Sequence, residues 1–305
     1  MDKQENKIYD VIIVGGSYAG LSAAMTLGRS LRTVLIIDNR KPCNRQAPLA
    51  HNLITHDGEK PGEITAKAKE QVLLYPTITH LEGKAISGKK EDDLFEILTE
   101  QEEIFFAKKL LFATGLHDEL PDLKGFSECW GISILHCPYC HGYEVKHGKI
   151  GLLGNGEMAY EFIKLLLNWS KDITLLSNGK CTLTKEQLID FDRYNIEIIE
   201  EEIKSFAHEN GVLTHVVFID DSTTELEAIF TKTAFKQHCP IPEQLNCTMT
   251  EEHGFVQIDD MQRTTIPGVF AAGDCTTAFR VISGAMAQGT KAGACLNMEL
   301  VGEEF

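Results

Sequence analysis

Two glycine-rich turns, each set between a buried strand and a helix, constrain the fold of this chain most strongly. The first is Gly15-Gly16-Ser17-Tyr18-Ala19-Gly20, which follows the apolar run Ile8–Val14 and precedes a helix from Leu21. A second strand then ends in Asp38. A strand, a tight turn, a helix N-terminus and an acid about 20 residues later form the dinucleotide-binding βαβ unit. Ser17 replaces the middle glycine, and serine is small enough for a nucleotide still to bind.

A second copy of this pattern begins at residue 149. A strand over 149–153 leads into Gly154-Asn155-Gly156-Glu157-Met158-Ala159, and a helix over 160–169 and a strand over 173–176 follow. The next residues, Ser177-Asn178-Gly179-Lys180, include neither the acid that binds an NAD ribose nor the arginine that binds the NADP 2'-phosphate. The second unit is therefore predicted to keep the fold and to bind a nicotinamide nucleotide poorly.

Length and charge exclude several classes of protein. A chain of 305 residues is long enough for about two domains, and no apolar run approaches the ~20 residues that span a bilayer. The net charge of -16 leaves no basic excess for nucleic acid or an anionic membrane. The polar segment 1–7 lacks the apolar region of a secretory signal. We expect a cytoplasmic protein that binds neither nucleic acid nor membrane.

The segment Cys137-Pro138-Tyr139-Cys140-His141 lies between the two glycine-rich turns and predicts a redox centre. Two cysteines at this spacing can close a small disulfide, and the first thiol of such a pair often reacts as a thiolate. In a reducing compartment the other cysteines are expected to be mostly free and inert. They are Cys43, Cys129, Cys181, Cys239, Cys247, Cys275 and Cys295.

Two other interpretations of the cysteine motif stay open at this point. Cys-x-x-Cys-His is also the attachment signal of c-type haem, which would require export. One Cys-x-x-Cys is half of a zinc site. Zinc would need a second ligand pair, and the candidate pair, Cys239 and Cys247, does not have the usual spacing.

Three further segments contain candidate site residues. A strand over 110–113 ends in Thr114-Gly115, and a strand from Pro267 ends in Gly273-Asp274. The apolar residues of segment 41–62 show no helical or strand periodicity, which predicts a long loop. A loop of this length is usually functional, and a solvated surface loop is the alternative. Its polar residues include Asn44, Arg45, His51, Asn52, His56 and Asp57.

The order of these motifs, ending in Ala271-Ala272-Gly273-Asp274, resembles the low-molecular-weight, FAD-dependent thioredoxin reductase family over essentially the whole chain. Its Cys-Pro-x-Cys-His-Gly segment is similar to a branch that includes the dithiol oxidases that close disulfides in gliotoxin and holomycin. The resemblance implies an α/β fold of two Rossmann-like, three-layer nucleotide-binding domains, the second inserted into the first. Residues 1–115 and 246–305 would form the FAD domain, and residues 116–245 the pyridine-nucleotide-type domain that carries the cysteine pair. It also implies a homodimer.

The same resemblance implies roles for individual residues. Cys140 would face the flavin, Cys137 would exchange with the external thiol or disulfide, and His141 would move a proton to or from the thiolate. For His141, a packed turn residue is the alternative. The residues predicted to bind FAD are Gly15, Ser17, Gly20, Asp38, Asn52, Thr114, Gly115, Gly273 and Asp274.

The predicted function is that of an FAD-dependent thiol–disulfide oxidoreductase. Its substrate would be a thioredoxin-like protein or a small dithiol or disulfide. The sequence does not decide the electron donor. It is NADPH or another donor such as ferredoxin if the enzyme is a reductase, and the substrate dithiol if the enzyme is an oxygen-dependent oxidase. Segment 233–238 also departs from the glycine-containing strand end of the family, which weighs against NADPH. A non-catalytic flavin redox sensor, and a flavin monooxygenase or NADH oxidase, are the remaining alternatives.

Overall fold

The computed structural model describes residues 7–305. The predictions that rest on Met1–Asn6, which concern the secretory signal and the start of the first domain, lie outside the described residues.

The chain contains short strands and helices in alternation. The strands are β1 (Ile8–Val14), β2 (Val34–Asp38), β3 (Ile78–Glu82), β4 (Ala85–Glu91), β5 (Leu94–Thr99), β6 (Ile104–Phe112), β7 (Leu116–Glu119), β8 (Ile134–Leu135), β9 (Ile150–Leu153), β10 (Ile173–Leu176), β11 (Glu197–Ile199), β12 (Ile203–Glu209), β13 (Val212–Phe218), β14 (Thr223–Thr224), β15 (Ala228–Thr231), β16 (Ala234–Gln237) and β17 (Val269–Ala271). The helices are α1 (Tyr18–Arg29), α2 (Pro61–Leu73), α3 (Phe126–Cys129), α4 (Pro138–His141), α5 (Gly156–Leu166), α6 (Lys185–Arg193), α7 (Ile241–Gln244) and α8 (Ile282–Glu304), with a 3-10 turn over Asp274–Thr276.

The contacts within the chain divide it into two units. The first unit contains the residues up to Arg45, Gly62–His117 and Phe235–Phe305, and the second contains Gln46–Pro61 and Asp118–Ala234. Two boundaries differ from those predicted from the sequence. Segment 46–61 joins the second unit, and the chain returns to the first unit at Phe235 rather than at residue 246.

The first unit is built on a seven-stranded sheet of order β3-β2-β1-β6-β5-β4, with β17 also paired to β6. Strands β3, β2, β1, β6 and β17 run parallel, whereas β4 and β5 are antiparallel additions. Strand β1 is apolar on both faces: Ile12 and Val14 pack on one side, and Val11 and Ile13 on the other with α1 and α8. Burial on both faces is typical of a central parallel strand.

The second unit has a parallel sheet of order β11-β10-β9-β15-β8. Helices α5 and α6 cover one face through side chains such as Phe162, Leu166 and Phe191. The antiparallel sheet β12-β13-β14 and helix α3 cover the other face, where Phe126 and Phe206 pack edge to face. These three layers repeat the Rossmann-like plan of the first unit around a separate core.

The periodic segments form close to where the sequence predicts them. Strands β1 and β10 have the predicted bounds, whereas the strand predicted at 110–113 is the end of the longer strand β6. The chain within residues 7–305 has no helix that combines the length and the apolar character needed to cross a bilayer.

Candidate active site

The cysteine pair lies on a single helical turn in the second unit. A disulfide joins Cys137 and Cys140, and their Cα atoms are 5.3 Å apart. Cys137 is the N-cap of α4, and its Sγ accepts a hydrogen bond from the Cys140 N–H at 3.2 Å. Pro138 fits the first helical position, because that position needs no N–H donor. Both cysteines are half-buried, so one side of the disulfide remains open to solvent.

Aromatic side chains pack around this turn. The exposed ring of Tyr139 meets the Trp169 ring edge to face, with ring centroids 5.5 Å apart. Gly142 lies so close to the same indole that an added Cβ would come within 3.0 Å of it. On the other side of the pair, His136 packs against Trp130 at a centroid distance of 5.8 Å. The backbone around the disulfide is therefore held by close packing.

His141 follows Cys140 directly, and its half-buried imidazole lies beside a second histidine. The rings of His51 and His141 are 6.4 Å apart and almost perpendicular. Burial lowers the pKa of His141; Glu144 opposes this shift, and protonated His51 adds to it. An imidazole with a lowered pKa is neutral near pH 7 and can accept a proton from a thiol.

The second histidine comes from segment 46–61 of the same unit. His51 Nε2 is 3.5 Å from Glu144 Oε1, and His51 Nδ1 is 3.6 Å from Asp57 Oδ2. His51 and Asp57 were among the polar residues of a segment with two open interpretations, and Glu144 was not predicted. No spacing in the sequence connects residue 51 to residue 141, so only the fold reveals this cluster.

The first glycine-rich turn has the geometry of a nucleotide site. Gly15 has a φ of 106°, and an added Cβ there would clash with the Ala113 carbonyl. An added Cβ on Gly16 would lie 2.8 Å from Asp38 Cβ, so the turn passes directly beside that carboxylate. Ser17, at the N-cap of α1, makes no capping hydrogen bond with its side chain among the described residues. The N-terminus of α1, an end of a helix that favours an anion, is therefore not capped by the Ser17 side chain.

The other residues predicted to bind FAD in the first unit lie at the same edge of the sheet. Phe112 of β6 is paired with Ala271 of β17, so Thr114-Gly115 and Gly273-Asp274 follow two neighbouring parallel strands. The side chain of Asp274 lies 3.4 Å from Arg280 Nε and accepts from Cys43 Sγ at 3.7 Å. Gln288 accepts the Gly273 N–H at 2.7 Å. Arg280, Cys43 and Gln288 were not predicted, and for Cys43 the reason is that its partner lies 231 residues away in the sequence.

The first unit therefore fits FAD. It provides a helix N-terminus that the Ser17 side chain does not cap for the pyrophosphate, a carboxylate beside the turn for a ribose, and glycines where backbone must come close to a ligand. Asn52 is the exception among the predicted residues, since it lies in the second unit and its backbone N–H donates to Asp57. Its place at the flavin stays a prediction.

The second glycine-rich turn is closed by the protein itself. Asn155, the N-cap of α5, accepts hydrogen bonds from the N–H groups of Gly156 and Thr182, both at 2.9 Å. Its amide group donates to the carbonyl of Lys180 at 2.9 Å. Glu157, in the first turn of α5, accepts from Gln187 at 2.6 Å. The position where a Rossmann unit binds a pyrophosphate is thus bridged by segment 177–182 and has a carboxylate beside it.

Among residues 7–305, no group of three or more His, Cys, Asp or Glu side chains lies together in a way that could hold a metal ion. Cys239 and Cys247 are buried in the core of the first unit. Burial raises the pKa of Cys239 to about 11 and also raises that of Cys247. Both thiols are therefore protonated and unreactive at neutral pH.

Two Rossmann-like units and an accessible cysteine disulfide are the parts of a flavin-linked disulfide oxidoreductase, and comparison with known proteins agrees. Residues 9–289 match the model of the pyridine nucleotide-disulphide oxidoreductase family. The chain belongs to this family.

Individual relatives match over almost the whole chain. Thioredoxin reductase tcpT of Claviceps purpurea is 31% identical over 309 residues, which cover 98% of this chain and 96% of the relative. The solved structure of TrxB from Bacillus anthracis has a TM-score of 0.93 at 31% identity, and the match covers 97% of this chain and 100% of that one. The solved structure of HlmI has a TM-score of 0.91 at 28% identity, covering 100% and 95%.

These comparisons confirm the predicted resemblance and the α/β fold of two Rossmann-like units. The protein is a thioredoxin reductase-like flavoenzyme that binds FAD and exchanges electrons with disulfides.

Proposed function

We propose that the protein is a dithiol oxidase, in which electrons enter from a substrate dithiol rather than from NADPH. The overall reaction converts one dithiol and one molecule of oxygen to one disulfide and one molecule of hydrogen peroxide. FAD, when bound, would supply the two-electron chemistry that links the cysteine pair to oxygen.

The closed second glycine-rich turn supports this direction of electron flow. A nicotinamide nucleotide would need the amide groups at the N-terminus of α5 for its pyrophosphate. The Gly156 N–H is already bonded to Asn155, and the same side chain joins the turn to Thr182 and Lys180. Glu157 adds a negative charge in the first turn of α5, which opposes a phosphate.

The chain's own residues can carry out the thiol–disulfide exchange. A substrate thiolate attacks Cys137 Sγ, the Cys137–Cys140 bond breaks, and Cys140 leaves as a thiolate. The second substrate thiol then attacks the substrate sulfur of this mixed disulfide, its bond to Cys137 Sγ breaks, and the oxidised substrate and the Cys137 thiolate are released. The Cys140 N–H stabilises that thiolate through its hydrogen bond to Cys137 Sγ. His141, neutral near pH 7, accepts a proton from the attacking thiol.

FAD would lie at the carboxyl edge of the first unit's sheet. Its pyrophosphate would meet the uncapped amides after Ser17, and Asp38 would accept from the adenosine ribose. The further residues assigned to the cofactor are Gly15, Gly20, Asn52, Thr114, Gly115, Gly273 and Asp274.

The substrate is a thioredoxin-like protein or a small dithiol, and the protein is a cytoplasmic homodimer. The names of relatives such as tcpT favour a thioredoxin reductase as the second candidate function. In that alternative, NADPH would reduce the flavin and the electrons would leave through the cysteine pair.

Anaerobic mixing of the purified yellow protein separates the two functions. We expect dithiothreitol to bleach the flavin absorption rapidly, NADPH to leave it unchanged, and oxygen to restore it with one hydrogen peroxide per disulfide. Replacing both Cys137 and Cys140 by serine should keep the bound flavin and abolish bleaching by the dithiol.

Rapid bleaching by NADPH would instead establish the reductase. A wild-type protein that no dithiol bleaches would be the non-catalytic sensor, and bleaching that survives the double serine variant would indicate a flavin oxidase without a role for the cysteines.

A further inference from the structure

A histidine held between two carboxylates lies against the proton acceptor of the redox pair. His51 has one ring nitrogen 3.6 Å from Asp57 and the other 3.5 Å from Glu144. Its ring meets the edge of His141 at a centroid distance of 6.4 Å. The side chain of His51 is 18% exposed, whereas those of Asp57 and Glu144 are 65% and 39% exposed. The inner member of the cluster is thus the histidine, and the carboxylates face solvent.

Segment 50–59 fixes the orientation of this ring. Its ends are joined by the hydrogen bonds from Ala50 N to Glu59 O and from Gly58 N to Ala50 O, both 2.8 Å long. Within the closed loop, the Asn52 N–H donates to Asp57 Oδ1 at 2.7 Å, which leaves Oδ2 facing His51. Asn52, directly after His51, has a φ of 60°, in the left-handed region. The loop therefore presents a preset imidazole to the turn that carries the cysteine pair.

We propose that His51 is a positioning residue for His141, and that the cluster of Asp57, His51 and Glu144 sets the pH at which His141 accepts the proton of an attacking thiol. This role rests on the proposed thiol–disulfide exchange at Cys137 and Cys140, in either direction of electron flow.

The proton balance of the step explains why such a cluster is useful. Each substrate thiol loses its proton when its sulfur forms a bond to sulfur, and His141 becomes an imidazolium when it accepts that proton. The charged groups facing His141 are the Glu144 carboxylate and His51, when His51 is protonated. The Glu144 carboxylate stabilises the imidazolium of His141. Protonated His51 destabilises this imidazolium and therefore favours release of the proton to solvent beside the exposed Glu144. The two effects keep His141 able to accept a proton again in the next cycle.

The sign of the expected change follows from these contacts. Burial and protonated His51 both lower the pKa of His141. Replacing His51 by glutamine removes the second effect and frees Glu144 to face His141 alone, so the pKa of His141 should rise. A larger fraction of His141 is then already protonated in mildly acidic solution and cannot accept a thiol proton. The loss of rate should therefore be confined to low pH.

Two measurements on the holoenzyme test the role of His51. NMR of ring-labelled histidines, assigned with His141→Gln, gives the pKa of His141 directly. The pH profile of anaerobic flavin reduction by dithiothreitol, corrected for the ionisation of the reagent, gives its kinetic effect. We expect His51→Gln to raise the pKa of His141 by about 0.5 to 1 unit, which corresponds to a ~3- to 10-fold slower reaction on the acid limb. The plateau at high pH should not change.

Two further variants keep the test sharp. Asp57→Asn retains an oxygen that can accept the Asn52 N–H but removes the charge beside His51, and it should shift the profile in the same direction. His56→Gln changes a histidine of the same loop that faces Glu59, and it should have no effect.

An unchanged pKa of His141 in His51→Gln and Asp57→Asn would overturn the proposal. An equal loss of rate at every pH would also overturn it, because that indicates a purely structural role. If dithiothreitol fails to reduce even the wild-type flavin, the proposed function fails, while the NMR titration still decides the role of His51.

Discussion

His141 shows how strongly the surroundings of one residue determine its chemistry. The family resemblance implied that His141 moves a proton to or from the thiolate, and an unperturbed imidazole has a pKa near 6.5. The structure adds that burial lowers this pKa and that His51 and Glu144 act on it in opposite directions. The contact with His51 could not be predicted, because it depends on the packing of segment 46–61 against the turn that carries the cysteine pair, whereas Glu144 lies only three residues after His141. The place of His141 beside the cysteine pair is thus set by the local sequence, whereas its contact with His51 is set by the fold.

Replacing His141 should therefore change the pH dependence of the enzyme as well as its rate. In the wild type, the corrected rate of flavin reduction by dithiothreitol should rise with pH through the lowered pKa of His141 and then level off, since neutral imidazole is the active form. We expect His141→Gln to remove this limb and to slow the plateau by about 10²- to 10⁴-fold. His147→Asn alters an exposed histidine of the same segment and should leave the profile intact. If the rate of flavin reduction still rises with pH in His141→Gln, the rise is caused by the titration of another group.

The two glycine-rich turns show how far a pattern determines an element and its function. Apolar β-branched runs determine the bounds of β1, β5 and β10, whereas β4 was not predicted because Ala85–Glu91 is largely polar and half exposed. The letters Gly-x-Gly-x-x-Ala correctly predicted the turn into α5. They could not predict that Asn155 closes it, because the partners of its side chain lie in segment 177–182.

Asn155 should stabilise the second unit by more than an ordinary helix cap does. Thr184 caps α6 through a capping box and serves as the matched control. Thr184→Ala should lower the free energy of unfolding by about 1 kcal/mol. Asn155→Ala should lower it by about 1 kcal/mol more, because the additional hydrogen bonds to Thr182 and Lys180 are also lost. Urea denaturation followed by circular dichroism measures both values. Equal losses for the two variants would mean that Asn155 acts only as a cap and does not hold the loop.

At the scale of the whole molecule, the repetition of one βαβ pattern was sufficient to predict two Rossmann-like units. The extent of each unit was harder to predict, because it depends on single long-range contacts. Segment 46–61 clusters with the second unit through contacts such as Gln46 Nε2 to the Ser127 carbonyl at 3.3 Å, as well as those of His51. The periodicity of apolar residues determines which strands and helices form. Long-range contacts of this kind determine the unit with which a connecting loop packs.

The net charge of the molecule should affect which dithiols react rapidly. The chain has a net charge of -16, and the carboxylates of Asp57 and Glu144 are exposed beside the redox turn. An anionic dithiol such as dimercaptopropanesulfonate is therefore repelled during encounter, and salt screens this repulsion because the Debye length falls from about 10 Å at 0.1 M to about 3 Å at 1 M.

We expect the second-order rate constant for flavin reduction by dimercaptopropanesulfonate to rise several-fold as sodium chloride increases between these concentrations. The constant for dithiothreitol, which lacks the sulfonate charge, should change much less, which controls for effects of salt on the protein and on the thiolate. Stopped-flow mixing without oxygen measures both. A rate with the anionic dithiol that falls with salt would mean that a local positive charge, such as Lys146 over the Tyr143 ring, outweighs the net charge and attracts anionic substrates to the disulfide.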